Sequence, residues 1–447
     1  MHVTLLLLLG AARALVAPAV TAPIASKLAE VQEPAARALA EAYEVVDLPS
    51  SRTTFVRTAA ARDGGAASLP VRYLRDANYL CAVCGAGVVE TGRSPPLVLL
   101  HGFDSSALEF RRLLPALEAR GVAAYALDVA GWGLTEPGDA GVSVEAKRKQ
   151  VEEFCREVVG GPCVLAGARA ARAEMLYTAP RRRRDPLGSV LPCRGGVALR
   201  TSGAAAVGTR SDACSPDSAA APPRLPFGRL EPRRRRDPLG YRLIHAAAPP
   251  GRARSLPRRR SLGAAVVVDA VANGGVAPVK VALLGPQCMI DGAPPVPEWG
   301  ARLGVRVLRS WPLRALANRI AYKDKSLGTK DAIRVGLLHC ERDGWEDDAV
   351  AWLLGGGYSV SELVSPALRD AETLILWGES DEILPPADAL PQFVEALPGA
   401  DIRYVAECGH VPHLEQPGAT ATALARFLDE GANLGYVSGT TSVASAR

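Results

Sequence analysis

Six short, largely apolar runs frame this chain: residues 96–100, 122–127, 163–167, 279–284, 373–377 and 402–406. Each is five or six residues long, the length of a strand rather than of a helix. A continuous apolar run of that length suits a strand buried on both faces. The segments between the runs have helical spacing, notably 110–119, 144–159 with Ser143 placed to cap its start, 263–271 and 420–428. Strands alternating with helices predict an α/β chain with a mostly parallel sheet and helices on both faces. The chain is 447 residues long and 48% hydrophobic, enough to bury a large core. Residues 20–45 read as helical, and 55–73 as a strand pair turning at Gly64-Gly65. Residues 290–367 are mostly helical with no strong strand, the pattern of a cap set after the 279–284 strand.

The alternation is interrupted by residues 169–260. That stretch holds 21 Arg, no Lys and six acids, a net of +15, and the nine residues 180–188 (PRRRRDPLG) recur as 232–240. Such a composition cannot bury enough apolar surface to order itself, so a disordered basic insert is expected. The whole chain carries +5, so the remainder carries 5 − 15 = −10. An acidic remainder gives no nucleic-acid signature, and none is expected as a partner.

The interruption falls inside a motif. Gly167-Ala168 stands before it and Ser261-Leu262-Gly263 after it. Joined, they spell G-x-S-x-G, the elbow that exposes a nucleophilic serine between a strand and a helix. The turn is tight, so the positions two before and two after the serine must be small, and Gly167 and Gly263 fill them. Acyl transfer also needs a base, an acid that orients it, and donors for the oxyanion. Asp381 lies four residues past the 373–377 strand, and His410 follows the last strand after Gly409. The order Ser261, Asp381, His410 is the Ser…Asp…His order of one hydrolase fold. The backbone N–H groups of Phe103 and Leu262 are the expected oxyanion donors, with His101, Gly102 and Asp104 supporting the loop. His413 is a rival to His410, but the residue directly after the glycine is the usual base. His339 and Cys340 read as packing within the helical segment.

With His101-Gly102-Phe103-Asp104, residues 128–133 (DVAGWG), 374–381 (LILWGESD) and 409–417 (GHVPHLEQP), the chain resembles the α/β-hydrolase fold-1 superfamily, in particular its plant and algal plastid-type members with a helical cap. The resemblance spans about 50–168 and 261–430. It implies an α/β-hydrolase fold and the triad roles for Ser261, Asp381 and His410, with no cofactor and no metal. The serine argues against the epoxide and halide chemistry of relatives with an aspartate nucleophile. The expected reaction is hydrolysis of an ester-type bond in a small molecule or lipid: a carboxylester, lipid or thioester.

As written, Arg258-Arg259-Arg260 precedes Ser261, and Arg259 stands where the elbow needs a small residue. Three readings follow: residues 169–260 are a translated intron or a gene-model error in an intact hydrolase; the insert is real and the chain is a catalytically dead scaffold or binding protein; or the insert is real and its Arg runs bind RNA or an anionic membrane. The bland account of those runs, a solvated loop, is preferred to binding.

The expected organisation is a targeting segment at 1–22, core at 46–168, insert at 169–260, core again at 261–289, cap at 290–367, core at 368–432 and a tail at 433–447. Residues 5–9 and the small residues after them resemble a signal-type segment, and 14–18 resemble the junction of a two-part algal plastid address. A plastid, or alternatively secretion or the cytoplasm, is the expected location, with no transmembrane span. Cys81 and Cys84 form a lone CxxC, weak support for a metal. Substrate identity and oligomeric state stay open.

Overall fold

A computed structural model describes residues 19–62, 94–168, 262–289 and 296–430. Among the described residues, nine strands form one sheet: β1 (Glu44–Leu48), β2 (Ser51–Arg57), β3 (Leu97–Leu100), β4 (Ala124–Leu127), β5 (Glu136–Pro137), β6 (Val164–Ala168), β7 (Lys280–Leu284), β8 (Thr373–Gly378) and β9 (Asp401–Val405). Their order is β1-β2-β4-β3-β6-β7-β8-β9, with β5 paired to β2. From β4 to β9 along that path every neighbour is parallel, while β2 runs antiparallel to both β1 and β4. The six apolar runs are therefore the six parallel strands, and β3, β4, β6, β7 and β8 are buried along their whole length.

Alternation within these strands sorts their side chains onto two cores. Val98, Leu100, Leu165, Val281 and Leu283 face one side, with the helices Val144–Phe154 and Gly263–Asn273. Leu97, Leu99, Val164, Ala166 and Ala282 face the other, with Leu113–Glu118 and Pro417–Asp429. Ser143 caps its helix as expected, its hydroxyl accepting from the Ala146 N–H at 3.1 Å.

Between β7 and β8 the described chain runs through helices Glu298–Arg309, Trp311–Ala321, Lys330–Leu337, Trp345–Leu354 and Ser361–Leu368. This helical cap meets the core at named points. Arg342 donates to the Gly131 carbonyl at 3.2 Å. Lys147 Nζ lies 4.4 Å from the Trp352 ring centre. The His410 N–H donates to the Ala321 carbonyl at 2.7 Å. Among the described residues, no helix is long and apolar enough to cross a membrane.

One expectation is corrected. The strand pair read into 55–73 is instead β1 with β2, Leu48 pairing with Ser51 across a turn at Pro49-Ser50. Residues 59–62 are helical, and Gly64-Gly65 lies outside the described residues. The proline and serine were the turn signal. Only Leu48 of β1 is fully buried, so its residues lacked an apolar run, and the helical reading of 20–45 ran past the true helix end at Glu41.

Candidate active site

Across the interruption, Gly167-Ala168 and Leu262-Gly263 come together. Strand β6 ends at Ala168, and the helix Gly263–Asn273 begins against it. A Cβ on Gly263 would lie 2.5 Å from the Ala168 carbonyl oxygen, and one on Gly167 would lie 2.6 Å from the Ala264 N. Both positions are closed to any side chain, the requirement the elbow sets at its two flanks. Gly263 also abuts the carbonyls of Leu100 and His101, so the helix start sits against the loop that carries Phe103. Leu262, Phe103 and Gly263 are buried there. Ser261 itself, Arg259 and the rest of the insert lie outside the described residues.

On the same carboxyl edge of the sheet, the segments after β8 and β9 bring Asp381 and His410 together. His410 Nδ1 is 2.7 Å from Asp381 Oδ2, and both residues are buried. The carboxylate is fixed on its other sides: Oδ1 accepts from the Ile383 and Leu384 N–H groups at 2.9 and 2.8 Å, and Oδ2 accepts from Trp377 Nε1 at 3.2 Å. With Nδ1–H donated to the carboxylate, the neutral ring carries its lone pair on Nε2, the arrangement of an oriented general base.

The backbone explains how these groups reach one another. Gly378 ends β8 with no room for a side chain, because a Cβ would run into the Gly409 carbonyl. The Ser380 N–H donates to Cys408 O at 2.8 Å, and the Gly409 N–H to Glu415 Oε2 at 2.6 Å. The first bond lashes the Asp381 loop to the His410 loop, and the second braces the His410 loop on itself. Burial pushes the Cys408 thiol up, with the Glu415 charge adding to it, and burial raises Cys288 to about 12. Both stay thiols at neutral pH and are poor nucleophiles.

The remaining predicted residues have structural partners. His101 is buried, its Nε2 accepting from the Val129 N–H at 3.1 Å and its Nδ1 lying 2.7 Å from the Gly102 carbonyl. Its ring joins two loops rather than presenting a base. The Gly102 N–H donates to Glu109 Oε2 at 3.2 Å. His413 does not face Asp381: its Nε2 is 2.7 Å from Glu109 Oε1. Burial alone would raise the Glu109 carboxyl, but His413, with smaller help from His101 and Ser105, holds it below the usual carboxylate range. Asp104, buried and in a left-handed conformation (φ 54°), binds two cap residues, Arg314 Nη2 at 2.8 Å and His339 Nε2 at 3.0 Å. His339 and Cys340 are buried in the cap as expected, but the Asp104 contact was not foreseen, nor were the Trp377 and Glu109 partners. Asp104, His339 and Cys340 place donor atoms within 4.8 Å of one another. The Arg314 guanidinium, 2.8 Å from Asp104 and 3.7 Å from Cys340 Sγ, already takes the place a cation would need. Cys81 and Cys84 lie outside the described residues.

The model of the alpha/beta hydrolase family matches residues 260–423. The alpha/beta hydrolase domain-containing protein VTE7 of Arabidopsis thaliana is 26% identical over 343 residues, covering 75% of this chain and 74% of its own. The solved structure of a thermophilic esterase from Thermogutta terrifontis matches with a TM-score of 0.49 at 12% identity, covering 87% of this chain and 98% of that one. That of a meta-cleavage product hydrolase from Pseudomonas fluorescens matches at 0.48 and 13%, covering 87% and 98%. The chain is thus similar to the alpha/beta hydrolase family, most directly over residues 260–423.

Proposed function

We propose that the chain is a serine hydrolase acting on an ester-type bond of a small molecule or lipid. The observation that carries this is the Asp381–His410 pair, 2.7 Å apart, on the same carboxyl edge of the sheet as the end of β6 where the helix Gly263–Asn273 begins. Ser261 directly precedes Leu262 at that helix start. In the proposed cycle His410 Nε2 takes the Ser261 proton as Oγ attacks the carbonyl carbon. The oxyanion is held by the N–H groups of Phe103 and Leu262. Collapse expels the alcohol or thiol, which leaves with the proton from His410. A water, deprotonated by the same base, then hydrolyses the acyl-enzyme. No cofactor enters this chemistry.

Hydrolysis of a short p-nitrophenyl ester tests the proposal, in the full chain and in a chain lacking 169–260. Turnover abolished by Ser261→Ala supports it; turnover retained in that variant overturns the assignment. A full chain that is inert towards the ester and unlabelled by a fluorophosphonate would favour the scaffold alternative, to which the Arg259 position points. The plant relative and the signal-like start also support a plastid location. A fluorescent protein carrying residues 1–22 should then enter plastids of an algal cell, and secretion or cytoplasmic retention would refute it.

A further inference from the structure

The loop that would present the Phe103 N–H to an oxyanion is held at both ends by the core. At its start the His101 ring spans Gly102 and Val129. At its end the Ala107 N–H donates to Asp128 Oδ1 at 2.5 Å, and the Gly133 N–H to Ser105 O at 3.2 Å. The middle is held differently. Asp104, the residue after Phe103, has φ 54° and no exposure to solvent, and its carboxylate meets two cap side chains that are themselves buried. Arg314 Nη2 lies 2.8 Å from Oδ2, and His339 Nε2 lies 3.0 Å from Oδ1. Arg314 is in turn aimed by the Leu308 carbonyl at 2.7 Å and the Gly336 carbonyl at 3.3 Å. Aspartate tolerates the left-handed region better than most residues, but the conformation still carries a cost that the surroundings must offset. Here those surroundings include the cap.

We propose that Arg314 and His339 are positioning residues, through which the cap grips Asp104 and sets the Phe103 N–H for oxyanion stabilisation. The proposal rests on the serine-hydrolase reading for its catalytic consequence. Closing the cap and completing the oxyanion site are then one event, since the carboxylate partners arrive on cap elements, the helix Trp311–Ala321 and the turn Leu338–Glu341. A donor that stabilises only the transition state affects kcat and not substrate binding.

The test uses the full chain and three variants, Arg314→Met, His339→Leu and His339→Gln, with two readouts. Hydrogen exchange of the peptide spanning 101–106 is expected to quicken about tenfold in Arg314→Met and His339→Leu. Ester turnover in the same variants should fall about tenfold or more in kcat with KM little changed, less than the loss of a whole oxyanion donor. His339→Gln, whose amide N–H can replace Nε2, should restore most of both. Unchanged exchange at 101–106 overturns the proposal. So does a rise spread evenly over the whole chain, which would mark a merely structural role. Should Arg314→Met fail to fold, the two His339 variants decide. A wild-type chain without esterase turnover refutes the triad reading separately, and exchange at 101–106 then decides the grip alone.

Discussion

Replacing Gly263 by alanine tests the junction on which the site depends. The added Cβ would lie 2.5 Å from the Ala168 carbonyl oxygen, 0.5 Å inside the 3.0 Å limit that real Cβ contacts respect (3.0 − 2.5), and it would also crowd the carbonyls of Leu100 and His101. All three obstacles are backbone at the ends of β3 and β6, so no flexible side chain can give way. The helix cannot retreat easily either, because Gly263 to Ala270 are all buried. Overpacking a core costs ~1–3 kcal/mol, and rigid backbone on three sides places this case near ~3 kcal/mol. At ~2–4 °C per kcal/mol for a large domain, Tm should fall by ~6 °C or more. Gly304→Ala is the control. It sits in an established helix with nothing within 4 Å of the new methyl, and should be neutral or gain ~0.5–1 kcal/mol. Thermal and urea unfolding of the two variants side by side give the comparison. A Gly263→Ala chain that melts within 1 °C of wild type (about 0.3 kcal/mol on the same scale) would mean that the helix does not start against Ala168, and the rejoined elbow would fall with it.

Further outcomes follow from the same geometry. Asp381→Asn keeps an acceptor for the Ile383 and Leu384 N–H groups but no longer enforces the His410 tautomer, so kcat for an ester should drop ~10⁴-fold with the fold intact. Glu109, held low by His413, stabilises the fold fully above the ordinary Glu range near ~4.3, and that contribution is lost as pH falls through its lower folded value. Glu109→Gln should therefore flatten the acid limb of stability measured by urea midpoints, and an unaltered limb would refute the pairing. Lys147 is buried, with its amine lowered to about 7 by burial against a weaker upward pull from Asp348. Between that value and the unfolded ~10.4, the unfolded chain binds more protons, so stability should rise with pH over this window. Lys147→Met should abolish the rise in alkaline urea titrations.

What the sequence disclosed was what depends on neighbours along the chain. The parallel strands were visible because burial leaves largely apolar runs, broken only by Lys280 in β7 and Arg403 in the partly buried β9, and their ends matched within a residue or two. Asp381 and His410 were findable because each follows a strand end at short range. Edge strand β1 was not, since a half-wet strand with one buried residue has no apolar run. The Asp104 partners were hidden for another reason: His339 lies 235 positions away, and nothing local distinguishes a buried cap histidine from one that grips a carboxylate. Likewise His413 showed as a rival base, and its attachment to Glu109 became visible only when the loop after β3 and the loop after β9 were placed side by side.

The most direct test of the account is to map where a fluorophosphonate attaches to the full-length chain. Trypsin cuts after Arg260 and Lys280, releasing 261–280 with Ser261 at its first position. The account predicts one phosphonylated serine, Ser261 in that peptide, with labelling slowed strongly in His410→Gln. An adduct on any other serine, or none under conditions that label an ordinary serine esterase, would contradict it.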